Sequence, residues 1–194
     1  LGADAAAQIA IADNIARQHL NEPFSETVGS QIDTSTGSFG YQAEDLATQG
    51  LLPLIFTRYY AGHADQYGVL GARWTHSYDT HLVFGDGQDV GVVLGSGREL
   101  FFDWYTVFTD PPNRYLPADA RVHDSLVKNG DGSYTYTTTT RLDYHFTATG
   151  QLTSISDPNG NSVTLTYDAS DRLTTVTDPA LGVWSYSYDR HRLT

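Results

Sequence analysis

The chain has 194 residues, enough for one domain or a domain with an appendage. Lys+Arg 11 against Asp+Glu 23 gives a formal charge of −12, and Lys128 is the single lysine; that balance disfavours nucleic acid and anionic membrane as partners, since both require basic patches. Cysteine is absent, which excludes a disulfide framework and thiol chemistry, while 18 glycines among many Thr, Ser and Tyr suit a turn-rich β protein.

In chain order, Asp4 to Leu20 is predicted as the one helix. Asp4 serves as N-cap, Ala5, Ile9, Ala12, Ala16 and Leu20 fall on one stripe, and Asn21-Glu22-Pro23 stops it. A helix of this length is marginal alone in water, so Ile9 and Leu20 are read as contacts, either to the β region or to another subunit. Residues 24–36 are polar and read as an extended linker. No signal peptide is expected, because the early stretch lacks a basic start, and no apolar run approaches the ~18–20 residues that span a bilayer.

Residues 37–140 read as a pre-repeat β region with strands at Leu52–Tyr60, Thr75–Phe84, Val90–Leu94, Glu99–Trp104, Arg121–Val127 and Tyr134–Thr140. Gly85-Asp86-Gly87, Gly95-Ser96-Gly97 and Asn129-Gly130-Asp131-Gly132 read as hairpin turns. The stretch from Asp110 to Pro117 reads as an irregular loop. Arg141–Phe146 alternates as a strand and leads into the last region, 141–194, with no break in the expected sheet.

That last region repeats. Phe146, Tyr167 and Tyr188 share one spacing, and so do Asp157 and Asp178, each followed by proline (Pro158, Pro179). Leu152, Leu173 and Leu193 keep nearly the same step. Such self-similarity marks stacked units that cannot bury their apolar faces alone. Val163, Leu165 and Tyr167 alternate with polar residues as one strand, and Trp184, Tyr186 and Tyr188 as another. In the Asp-Pro turns, proline presets φ and glycine supplies the positive φ. Leu152 and Ile155, like Leu173 and Val176, lie three apart and not two, which predicts a bulge or a twist at a fixed place in the unit.

Tyr167-Asp168, Arg172-Leu173-Thr174 and the following Val-Thr-Asp-Pro resemble the YD repeat of Rhs-type proteins, teneurins and insecticidal toxin shells. Tyr188, Asp189, Arg192, Leu193 and Thr194 match it again with one residue fewer. The stretch from Thr36 to Leu82 is similar to the segment that precedes the repeats in bacterial Rhs and polymorphic-toxin proteins. The resemblance implies a β-shell or wall, an extracellular or cell-surface location, and a C-terminal toxin payload as the carrier of any chemistry. Family shells use dozens of repeats, whereas this chain holds about two and a half.

No catalytic or metal constellation stands out. His76 and His81, with Asp79 between them, point to opposite faces of one strand, whereas zinc needs three or four converging ligands. The Asp/Gly turns at 129–133 and 86–89 lack the spaced carboxylates and distal glutamate of a calcium loop, leaving only weak cation binding. Gly95-Ser96-Gly97 lacks the glycine spacing of a nucleophile elbow. The aromatic row Trp184, Tyr186, Tyr188 reads either as packing within the sheet or as a glycan platform.

The expected fold is mainly β: an antiparallel hairpin sheet that grades into stacked YD repeats, with one short N-terminal α-helix. The expected function is non-enzymatic, without cofactor. Three roles follow: a wall or filament protein joined through edge strands and the N-terminal helix, the opening of a toxin-encapsulating shell, or a glycan-binding adhesin. Self-association or further repeats of the same polypeptide are the expected partners.

Overall fold

The computed structural model describes residues 39–62, 67–85, 88–104 and 114–194, and the backbone of 27–28 and 32–33. The helix expected over Asp4–Leu20, with Ile9 and Leu20, lies outside them. Within the stretch read as a linker, β1 (Thr27–Val28) pairs with β2 (Ile32–Asp33). Then come β3 (Gly40–Ala47), β4 (Ile55–Ala61), β5 (Tyr67–Gly68), β6 (Gly71–Ala72) and β7 (Trp74–His76). β3, β4 and β7 make a three-stranded antiparallel sheet, and β5–β6 is a two-residue-deep hairpin.

The main body is one 11-stranded antiparallel sheet in unbroken chain order. It starts with β8 (His81–Phe84), β9 (Val90–Val93), β10 (Glu99–Trp104), β11 (Arg114–Pro117) and β12 (Ser125–Lys128). It continues through β13 (Tyr134–Thr137), β14 (Asp143–Phe146), β15 (Leu152–Ser156) and β16 (Ser162–Tyr167). β17 (Leu173–Thr177) and β18 (Val183–Ser185) complete it, and a final pair, β19 (Tyr188–Asp189) and β20 (Arg192–Leu193), follows. The sheet crosses from pre-repeat into repeat at position 141 without interruption, because each unit is a hairpin whose second strand offers the next one an edge.

Several expectations change. Thr75–Phe84 is not one strand but two, β7 and β8, in different sheets. The chain turns between them, with Asp79 N–H donating to the His76 carbonyl at 2.9 Å and the Tyr78 side chain buried in the core. The end of the stretch read as a loop is β11, held between β10 and β12 with Tyr115 buried. β3 escaped notice because its Ala, Glu and Asp residues carry no apolar alternation. Arg141 sits in a turn at φ 64° and not in a strand.

The inner face of the long sheet is apolar throughout, from Val92 and Phe102 through Leu126, Tyr136 and Phe146 to Leu152, Leu165 and Val176. Leu52, Leu54 and Phe56, from the start of β4 and just before it, belong to the same cluster, so the sheet curls around this segment. Burying each such side chain is worth about 1.5–3 kcal/mol, which outweighs the entropy of ordering one residue. The curl closes on itself. Leu82 N–H of β8 donates to the Gly150 carbonyl at 2.8 Å, and His81 bridges to Gln151, in the turn that joins β14 to β15.

Candidate functional site

The residues that define the repeat act in one recurring turn. It spans 94–98, 129–133, 138–142, 147–151, 157–161, 168–172 and 178–182. In each, the first residue's carbonyl accepts from the fourth residue's N–H, and its own N–H donates to the fifth residue's carbonyl. The fourth residue has positive φ: Gly97, Gly132, Arg141, Gly150, Gly160, Asp171 and Leu181. This is a three-residue hairpin loop, a type I turn closed by a left-handed residue.

The turn explains the aspartates. Asp168 Oδ1 accepts from the N–H groups of Ser170 (2.8 Å) and Arg172 (3.1 Å). Asp157 Oδ1 does the same for Asn159 and Asn161, and Asp178 Oδ1 for Ala180 and Gly182. Arg172 adds an ion pair, its Nε donating to Asp168 Oδ2 at 2.8 Å, and this contact foremost holds the Asp168 carboxyl below its ordinary range. Tyr167 and Leu173 frame the turn as a cross-strand pair, with Leu173 buried in the core. Asp189 and Arg192 stand directly opposite each other in the copy that is one residue shorter.

The fixed bulge is present. Register shifts between His145 and Phe146, and again between Thr166 and Tyr167, leaving Thr153 and Thr174 as the extra residues. Each threonine hydroxyl donates to the facing strand at 3.0 Å, Thr153 to the His145 carbonyl and Thr174 to the Thr166 carbonyl, so a side chain replaces a lost ladder bond. The recurring Leu-Thr pair at 152–153 and 173–174 therefore has a mechanical cause in the threonine hydroxyl.

Trp184, Tyr186 and Tyr188 do not form an exposed row. The strand ends at Ser185, and the chain bends so that Tyr188 pairs with Leu193. Trp184 and Tyr186 pack against the core, the Tyr186 ring lying 6.0 Å from Phe56. Tyr188 lies beneath the Arg172 guanidinium and donates its hydroxyl to the Leu173 carbonyl at 2.8 Å. Tyr134 and Tyr136 are likewise buried.

A second group of rings lies elsewhere. Tyr41, Tyr60 and Trp74 stand in register across β3, β4 and β7, with Phe39 6.0 Å from Tyr60; Phe39 and Tyr41 are exposed, Tyr60 and Trp74 half-buried. Arg58, paired with Asp45, lies over Trp74. Sequence reading missed this cluster because its members come from three strands that only the fold aligns.

The histidine pair separates: His76 is buried and stacked on Phe56, whereas His81 is exposed. Burial lowers the His76 pKa, and the Asp79 carboxylate, 3.7 Å from its Nε2, opposes that only in part. In the 129–133 turn, Asp131 accepts from the Ser133 N–H and hydroxyl, so its carboxylate serves the turn. Among the described residues no group of three or more His, Asp or Glu is arranged to hold a metal ion, and no helix is long and apolar enough to cross a membrane. A cavity of about 70 Å³ beneath the inner face is lined by Tyr59, Tyr78, Tyr144, Leu94, Ile155 and Val163 among others.

A family model described as a domain of unknown function (DUF6531) matches residues 29–102, and one described as RHS Repeat matches residues 146–183. This is an Rhs-type YD-repeat protein with a short repeat region. The second match covers the two complete copies of the Asp-Pro turn, and the first covers the segment the sheet curls around. No curated protein matches the chain.

Proposed function

We propose that this YD-repeat chain is a non-enzymatic, wall-forming module of an extracellular or cell-surface protein, and that it forms the starting end of a curved β-shell. The seam carries this reading. β8 is engaged at His81 and Leu82 by the turn at 147–151, whereas among the described residues no further strand pairs with the outer side of β18. A sheet open at both edges extends as a ribbon or filament; one that has curled onto its first strand adds strands at the other end. That asymmetry favours a shell over a filament of head-to-tail copies.

The toxin-encapsulating role is the use that the Rhs resemblance implies, with the chemistry in a separate payload. The apolar inner face fits a container wall. Electron microscopy of the native polypeptide tests the reading. Discrete hollow particles with a continuous curved wall are the expected outcome. Regular filaments whose repeating subunit has a mass near 21.3 kDa would replace the shell by a polymer.

A further inference from the structure

The cavity of about 70 Å³ lies where the pre-repeat segment meets the repeats, with Leu52, Ile55 and Tyr78 on one wall and Tyr144, Ile155 and Val163 on the other. The lining is mostly apolar, and its polar groups are engaged with the protein. Tyr78 Oη accepts from the Ile55 N–H at 3.2 Å, Thr80 Oγ1 from the Gly95 N–H at 2.8 Å, and Ser77 Oγ from the Thr57 N–H at 2.8 Å. Tyr144 is the exception. It is only 8% exposed, yet its hydroxyl makes no hydrogen bond to a described residue.

Packing does not account for that hydroxyl. Tyr144 pairs with Ile155 just before the bulge of its hairpin, and Leu165 pairs with Val176 just before the bulge of the next. Leucine therefore fills the same place in the repeat with no polar group at all. Burial foremost, with Tyr59 and Asp124 adding to it, pushes the Tyr144 pKa up, so the group is a neutral phenol that offers a proton. The Asp124 carboxylate and the apolar walls together disfavour an anion in the cavity, and a polyhydroxylated molecule would leave its own groups unpaired there.

We infer that this cavity binds a compact neutral molecule with a hydrocarbon body and one carbonyl-type acceptor, which receives the hydrogen bond of the Tyr144 hydroxyl. A cavity of ~150 Å³ holds benzene, so about half that volume takes a smaller body, a short branched chain or a cyclobutane-sized ring. Pro53, Ile55, Ser96 and Ile155 in the lining are half-buried, which leaves a way in from solvent. Because the two walls come from the pre-repeat segment and the repeats, a bound molecule stabilises their junction by mass action. The inference goes beyond the wall reading and does not depend on particle shape.

A methyl NMR titration of the 194-residue protein tests this with two probes, cyclobutanone and methylenecyclobutane, which share a shape and differ in the oxygen. Both are expected to shift the Ile155 and Val163 methyl signals. Tyr144→Phe, which keeps the ring, is expected to weaken cyclobutanone about tenfold, the value of one net hydrogen bond, and to leave the hydrocarbon as tight or tighter. The ratio of the two affinities carries the test, since water holds the ketone more strongly than the hydrocarbon before either one binds. A ratio that Tyr144→Phe leaves unchanged overturns the role of the hydroxyl. Absence of shifts with either probe means a cavity that holds only water, and overturns the site.

Discussion

At the scale of single residues, the turn geometry sorts positions that look alike in sequence. In the 178–182 turn, glycine is expected to supply the positive φ, yet Leu181 holds it at 67° while Gly182 follows. Gly182 is needed for another reason: a Cβ there would lie 2.6 Å from Asp178 Oδ2. Leu181 is 80% exposed, so its side chain contributes little packing against the strain of the left-handed conformation. Leu181→Gly is therefore expected to stabilise the protein by up to about 1 kcal/mol, measured by urea unfolding, whereas Gly182→Ala destabilises it. Buried phenols divide in the same way. Tyr186 buries its hydroxyl without a hydrogen-bond partner, so Tyr186→Phe is expected to be neutral or to stabilise by about 1 kcal/mol. Tyr136 donates to Asp124 Oδ2 at 2.6 Å, and Tyr136→Phe is expected to cost about 1.5–3 kcal/mol because the carboxylate loses a charge-assisted bond. Equal effects of the two substitutions in thermal melts would refute the assignment.

At the scale of elements, the repeat hairpins were legible and the pre-repeat strands less so, for one physical reason. In the repeats, apolar alternation, Asp-Pro turns and period agree, and the three-residue offset of Leu173 and Val176, read as a bulge or a twist, is a bulge. In the pre-repeat region, strands are defined by partners distant in sequence. β3 has a polar, mostly exposed sequence and exists because β4 pairs with it, and the break between β7 and β8 follows from Tyr78 entering the core. The seam was invisible for the same reason, since it joins residues 81–82 to 150–151. It can be probed through two glycines of nearly equal conformation. Gly150 (φ 89°) and Gly160 (φ 84°) close equivalent turns. A Cβ on Gly160 meets nothing within 4 Å, whereas one on Gly150 would lie 2.7 Å from the Leu82 carbonyl. Gly160→Ala is expected to cost about 1 kcal/mol from backbone strain alone. Gly150→Ala adds the steric cost and opens the seam, so it should destabilise by at least about 1 kcal/mol more and speed exchange of the Leu82 amide. If the two alanines are equivalent in both readouts, the seam does not hold the curl.

At the scale of the whole molecule, the core and the curl place one titratable group where its charge bears on global stability. His76 stacks on Phe56 with ring centroids 5.2 Å apart, and Phe56 in turn meets Tyr186 of the last repeat, so the imidazole lies where the two ends of the fold meet. Its Nδ1 accepts from Tyr78 N–H at 3.2 Å, a bond that requires that nitrogen to be unprotonated. Burial holds the folded-state pKa below the ordinary value of 6.5. Between that value and the lower folded pKa, the unfolded chain binds the proton more readily. The stabilisation is therefore complete above about pH 6.5 and is lost as pH falls through the window beneath it, at up to about 1.4 kcal/mol per pH unit. The carboxylates act in a separate window: Asp119, held to about 2 by Arg121, and Asp157 and Asp168 keep their contribution until pH drops below the ordinary carboxylate range. Urea unfolding from pH 8 to 5 should show the first decline, and His76→Gln, which retains an acceptor but no titrating ring, should flatten it while lowering stability at pH 8. An unchanged slope in that variant would assign the decline to another group.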